Sequence, residues 1–436
     1  MNKLFPLYVA LCLWISRADA QQWGLATCVD YALQHSQQMQ ASEREASASH
    51  LAAKAAKAQI FPTLAGTASM DHYWKIPVQV FPGELLGQPE GSFVPVRLGT
   101  PWMGNYGLEA SVDVANPATW QQVKLAVIRA RAAGAEREGV SRMLKRHVHM
   151  AYHAAALGRQ RLELAQARME RVHDIHRLIT KRFKQGLSDR IEWNQSRTLV
   201  NDVEAAQNAA HSDYQTSLID LKFWMGYPLD STLQVPAFQG IPGLQTAADS
   251  HSPADFPEYA KYRSGADLAL QRWKASRVAL LPSLSVSAGY NRLGFGSSMG
   301  TTLRDDWFPS GYVGLRLRIP ILSVSDMVYT PRQHRLLAQA AALSFAEYQA
   351  REQKNLMQEQ HALEKAVAAL RIQEANMLLA RENEQLVFQK LEKGIVNLIE
   401  LKEIQQTLDQ ATALFIDAQL DYLRHHVELH YLQNKL

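Results

Sequence analysis

A chain of 436 residues with a formal net charge of +4, its Lys and Arg interleaved with Asp and Glu, carries no nucleic-acid footprint. Aromatics are only 8% of it, and long stretches are rich in Ala, Gln, Glu, Arg and Leu, a composition that packs helix on helix along thin seams rather than around compact cores. There is no Gly-rich phosphate loop, no Gly-x-Ser-x-Gly elbow and no paired-cysteine motif, so the sequence points to no enzyme and to no cofactor.

The N-terminus reads as a signal peptide over 1–20: Lys3, an apolar run from Leu4 to Ile15, then the small-x-small pattern Ala18-Asp19-Ala20. That run is too short for a spanning helix, which needs about 20 apolar residues, and no later stretch reaches this length. A membrane role would have to use β-strands. Cys12 lies in the signal segment, which leaves Cys28 as the only mature cysteine and excludes an intrachain disulfide.

Residues 21–226 form a first repeat. A helix is predicted over 26–59, closed by Pro62; strands follow at about 63–74 and 105–114, joined by a Pro- and Gly-rich loop. A long helix over 117–185 opens at Pro117 and closes at Gly186, and a further helix occupies 188–226. A linker at 227–256, with Pro228, Pro236, Pro242 and Pro253, leads to a second repeat over 257–436. Its elements are a helix at 257–280, strands at about 283–292 and 311–320, and helices at 331–393 and 397–434. In each half the two shorter helices together match the long one in length, so end-to-end stacking beside it gives rods on the order of 100 Å.

The duplication is explicit. Ile60-Phe61-Pro62-Thr63-Leu64 returns as Leu280-Leu281-Pro282-Ser283-Leu284, and Arg182-Phe183-Lys184-Gln185-Gly186-Leu187 returns as Lys390-Leu391-Glu392-Lys393-Gly394-Ile395. A three-four spacing through Val148, Ala155, Leu162, Met169, Val172, Ile179 and Phe183 marks a coiled-coil seam. It recurs at Leu356, Leu363, Leu370, Met377 and Leu391, with Glu384 as the departure.

In the strands the period changes to two. Leu108, Ala110, Val112 and Val114 alternate with Glu109, Ser111 and Asp113, while Val313, Leu315, Leu317 and Ile319 alternate with Gly314, Arg316 and Arg318. A barrel wall suits this pattern, with the apolar side toward lipid and Glu109, Asp113, Arg316 and Arg318 toward a water-filled lumen. Aromatics near the strand ends, among them Trp74, Trp102, Tyr106, Tyr290, Trp307 and Phe308, fit interface girdles. Four strands cannot close a barrel and an open edge in lipid is prohibitive, so several copies must share one.

With the Phe61-Pro62-Thr63-Leu64 and Leu281-Pro282-Ser283-Leu284 strand starts and the duplicated glycine turns, the chain resembles the TolC-type outer membrane efflux protein family over nearly its whole mature length. The resemblance implies a mainly α fold with a small β part: a homotrimer with a 12-stranded outer-membrane β-barrel continued by an α-helical coiled-coil tunnel in the periplasm. It also implies docking by a periplasmic adaptor and an inner-membrane transporter. The adaptor contacts would fall at the turns Gln185-Gly186-Leu187 and Lys393-Gly394-Ile395. Acidic residues after the second turn ring the tunnel entrance in the family, and here Glu400 and Glu403 stand there, with Glu192 and Gln195 at the first-half positions. The family's basic residue two past the second glycine is replaced by Val396.

His149 and His153 stand four apart, as metal ligands on a helix can, with His147 beside them; the same spacing class includes His173 with His176. Without a catalytic Glu or a nearby cysteine they read as polar helix-surface histidines. The function expected is a passive exit duct for efflux or type I secretion. The competing class is a structural or adhesive coiled-coil envelope protein.

Overall fold

The computed structural model describes residues 23–238, 240, 254, 256, 258–278, 280–393 and 395–436; the expected signal segment, part of the linker and Gly394 lie outside the described residues. In chain order come α1 (Leu25–His35), α2 (Gln37–Ala58), β1 (Thr63–His72), β2 (Val78–Pro82), β3 (Phe93–Arg97), β4 (Trp102–Ala115), α3 (Pro117–Lys184) and α4 (Arg190–Met225). Then follow α5 (Tyr259–Val278), β5 (Ser283–Gly296), α6 (Met299–Arg304), β6 (Trp307–Arg318), α7 (Thr330–Glu392) and α8 (Leu398–Leu432). Two compact units divide the chain. One holds residues up to Ala46, Ala132–Arg263 and Ser344–Leu436; the other holds Ser47–Arg131 and Ser264–Leu343.

The second unit carries a four-stranded antiparallel sheet of order β1-β4-β5-β6. Its register places Glu109, Gly289 and Tyr312 in one row and Leu108, Tyr290 and Gly311 in the next, so the two faces differ as the alternation requires. The strands run longer toward the connecting loops than predicted, with β4 starting at Trp102, β5 reaching Gly296 and β6 starting at Trp307. The segment expected as plain loop between β1 and β4 contains a separate hairpin, Val78 pairing with Arg97 and Pro82 with Phe93. Pro95 hid β3 from the pattern, yet proline is tolerated in a two-stranded ribbon because half the backbone groups face outward. Between β5 and β6 the loop winds into α6, capped reciprocally by Ser298 and Thr301.

In the helical unit the predicted seam is the packed one. Val148, Ala155, Leu162, Val172 and Ile179 of α3 are buried, as are Leu363, Leu370 and Leu391 of α7. Small residues bring helices close: a Cβ added to Gly158 would stand 3.4 Å from Tyr214 Cα of α4. The seam's polar departure, Glu384, is met by Arg171 at 3.8 Å. The helix expected over 26–59 is broken at Ser36, whose ψ of 127 is extended. Gly226, at φ +68, ends α4 against this break, so closely that a Cβ would lie 2.8 Å from His35 O. Cys28 of α1 is fully buried, and burial pushes its thiol up to about 12.

Helix ends repeat with the sequence. Asp189 accepts from Glu192 N at 2.8 Å at the start of α4, and Asn397 accepts from Glu400 N at 3.0 Å at the start of α8. Leu187 N donates to Arg182 O and Ile395 N to Lys390 O, each at 2.9 Å, the same six-to-one closing bond.

Candidate functional site

Two regions carry the residues singled out by sequence. On the polar face of the sheet, Asp113 pairs with Ser285 and Ser285 with Arg316, while Arg318 lies opposite Ser283. Glu109 accepts a hydrogen bond from Tyr312 Oη at 2.9 Å. Asp113 accepts from Asn116 Nδ2 at 2.8 Å, and Asn116 Oδ1 in turn accepts from Ala118 N at 3.1 Å, opening α3. Asp113 therefore also braces the strand-to-helix junction. The other face is apolar and uncovered: Val313 is 80% exposed and Leu315 75%. Burying side chains of this size is worth about 1.5–3 kcal/mol each, so a sheet that leaves such a row open in water lacks its medium. Among the described residues, β1 and β6 each pair on one side only.

At the helix turns, Gly186 takes φ +74, with no atom within 4 Å of where a Cβ would point. Gln185 and Leu187 are exposed around it, as are Lys393 and Ile395 at the second turn. Glu400 and Glu403 are exposed on the first turns of α8; Glu192 and Gln195 are half-buried on α4. Glu192 also accepts from Ser188 Oγ at 2.5 Å, a local cap bond that steadies its carboxylate at the positive end of the helix. Val396 packs against an apolar cluster of Ile175, Ile179, Leu391, Leu398 and Leu401. That environment accounts for an aliphatic residue where the family resemblance implied a basic one.

His173 is exposed, as expected, but the other singled-out histidines are not simply surface groups. His147 stacks on Trp224 with ring centroids 3.9 Å apart, and His176 Nδ1 lies 2.8 Å from Ser196 Oγ. His153 is covered edge-on by Phe238, and its Nδ1, buried, has no hydrogen-bond partner among the described residues. Burial, with His149 and His426 nearby, lowers its pKa to about 4. Sequence inspection missed His426 and His430 of α8, whose rings lie 4.1 Å apart beside this pair. Among the described residues no group of three His, Cys, Asp or Glu is placed to hold a metal ion.

The family model for outer membrane efflux proteins matches residues 28–227 and 257–434, both repeats. The chain belongs to the outer membrane efflux protein family. A curated relative, the alkaline protease secretion protein AprF of Pseudomonas aeruginosa, is 22% identical over 431 residues, covering 97% of this chain and 87% of AprF. The Campylobacter jejuni outer membrane channel CmeC matches with a TM-score of 0.76 at 14% identity, over 94% of this chain and 85% of CmeC. The outer membrane protein VceC of Vibrio cholerae matches with a TM-score of 0.73 at 15% identity, over 94% and 95%. This efflux-family protein is therefore an outer-membrane exit duct, a conclusion that disfavours the structural coiled-coil alternative. Among its described residues no helix is long and apolar enough to cross a membrane.

Proposed function

We propose that three copies assemble one 12-stranded barrel and a shared helical tunnel, and that this homotrimer passively conducts cargo delivered by an inner-membrane transporter through a periplasmic adaptor. The uncovered apolar face of a four-stranded sheet with two unpaired edges carries this reading. Copies joined edge to edge satisfy both edges and turn Leu315 and its neighbours to lipid. Glu109, Asp113, Arg316 and Arg318 then line the lumen. Glu400 and Glu403, with Glu192 and Gln195, ring the periplasmic entrance, where clustered carboxylates favour cations. The turns at Gln185–Leu187 and Lys393–Ile395 meet the adaptor.

The test is electron microscopy and bilayer recording on mature protein purified from outer membranes. Hollow threefold particles with cation-selective conductance, reduced by Glu400→Gln with Glu403→Gln, are expected. Solid or soluble particles would overturn the duct. AprF's role in protein secretion favours a protein cargo over a small solute. Deleting the gene should then remove a protein from the culture medium; unchanged secretion with raised sensitivity to toxic solutes would reverse that choice.

A further inference from the structure

α3 and α8 run antiparallel, held by a ladder of ion pairs. Arg146 meets Glu428 at 3.2 Å, Arg168 meets Asp409 at 2.6 Å, and Arg161 meets Asp417 between them. As numbering rises on α3 it falls on α8, and this register brings His149 and His153, just past the Arg146 rung, near His430 and His426, which flank Glu428 on α8. The four are two pairs spaced four residues apart, each pair on one helical face. Ring centroids are 6.4 Å apart within the α3 pair and 4.1 Å within the α8 pair. Around the Arg146–Glu428 rung the seam thus carries a histidine pair on each helix.

We propose that His149, His153, His426 and His430 form a proton-operated joint between the two repeats: proton uptake sets like charges across the α3–α8 seam and loosens it. The groups that bear on the quartet are mostly cationic. Lys145 and His430 act on His149, His149 and His426 on His153, His430 and His149 on His426, and Lys435 on His430. The acids nearby are engaged elsewhere. Glu428 pairs with Arg146, Glu359 of α7 lies 2.8 Å from His425, and Asp421 pairs with Arg424 at 3.6 Å. Asp220 of α4 and Arg424 line the cavity that His153 and His147 share, offering one charge of each sign. From α1 the facing group is Cys28, which acts on Tyr152 rather than on the quartet. Lys145 is fixed by donating to Leu436 O at 3.0 Å.

Burial, with cationic neighbours, lowers the pKa of all four in the folded protein, His153 and His426 to about 4, while an unfolded histidine titrates near 6.5. The unfolded chain therefore binds more protons as the pH falls below that value, and stability is lost in that window. The test compares thermal melting of the full assembled protein in detergent at about pH 7 and pH 4.5 for wild type, the four-glutamine variant (His149→Gln, His153→Gln, His426→Gln, His430→Gln) and His430→Glu. An exposed control, His50→Gln, accompanies them. Wild type and control should drop by roughly 5–10 °C on acidification, the four-glutamine variant by much less, and His430→Glu, which gives His149 an anionic partner, should also flatten the curve. Equal drops in all four would overturn the joint. If neither quartet variant folds, hydrogen exchange on wild type, corrected for its intrinsic pH dependence, decides. Selective loss of protection at residues 145–157 and 422–434 supports the proposal, and uniform protection overturns it. None of these readings depends on conduction, so they stand or fall separately from the duct.

Discussion

Tyr312 of β6 reaches across β5 to hydrogen-bond Glu109 of β4, its ring lying over Gly289, the residue between them in the row. A Cβ at position 289 would stand 2.5 Å from Tyr312 Cε1. The glycine is there for the ring above it, a device that fills the gap glycine leaves in a strand. Gly289→Val should therefore expel the ring and lower the heat resistance of the assembled protein on gels, whereas Tyr312→Phe, keeping the ring and losing only the bond, should change it far less. Equal effects would mean that the hydrogen bond, not the packing, matters.

The two faces of β6 should tolerate opposite substitutions. Leu315→Arg places a cation on the uncovered apolar face and should cost about 2–4 kcal/mol near mid-bilayer, seen as loss of outer-membrane assembly. Arg316→Leu should assemble normally and shift only the ion selectivity of single channels. Equal tolerance of both would undo the face assignment.

At the first helix turn, the positive φ of Gly186 is the whole constraint, since there is open space around it. Gly186→Ala should cost about 1 kcal/mol of local stability, read as faster hydrogen exchange in residues 180–190, and Gly186→Asn less. Gly186→Asp should assemble but export poorly if the turn meets the adaptor; loss of assembly would make the turn structural instead.

Cys28, fully buried with its thiol pushed up to about 12, should resist maleimide in the folded protein at about pH 8 and react within minutes once denatured. Ready labelling of the folded state would show that α1 opens.

Asp409 answers acid with the opposite sign to the histidines. Burial raises its carboxyl to about 6 despite Arg168 at 2.6 Å. Its folded value lies above the model-peptide carboxylate range, so the folded state holds the extra proton in acid, and the associated stability is lost as pH rises through about 6. The melting temperature of wild type minus that of Asp409→Asn should fall between about pH 4 and pH 6 and level off above. A constant difference would show that Asp409 stays ionised throughout.

The long helices and the strand faces were legible because each obeys a single period, and the duplicated glycine turns fixed their order. What escaped notice depended on contacts distant in sequence. Ser36 breaks a helix with no Pro or Gly to announce it, because Gly226 approaches from another helix. His153 read as a surface residue since its cover, Phe238, and its neighbour His426 lie on other segments. Glu384 broke the seam pattern because its partner Arg171 belongs to the other repeat. Of the expected entrance residues, Glu192 and Glu400 were placed by turn register, and the same register gives both a capping position.

The unpaired edges of β1 and β6 bear on how the protein is made. A lone protomer presents two rows of free backbone donors and acceptors and an apolar face, so it can neither rest in water nor enter lipid without grave cost. In the proposed shared barrel, each copy is unfinished until its companions arrive, and insertion is conditional on completing the ring. The wall of the proposed channel thereby doubles as a checkpoint on its own assembly.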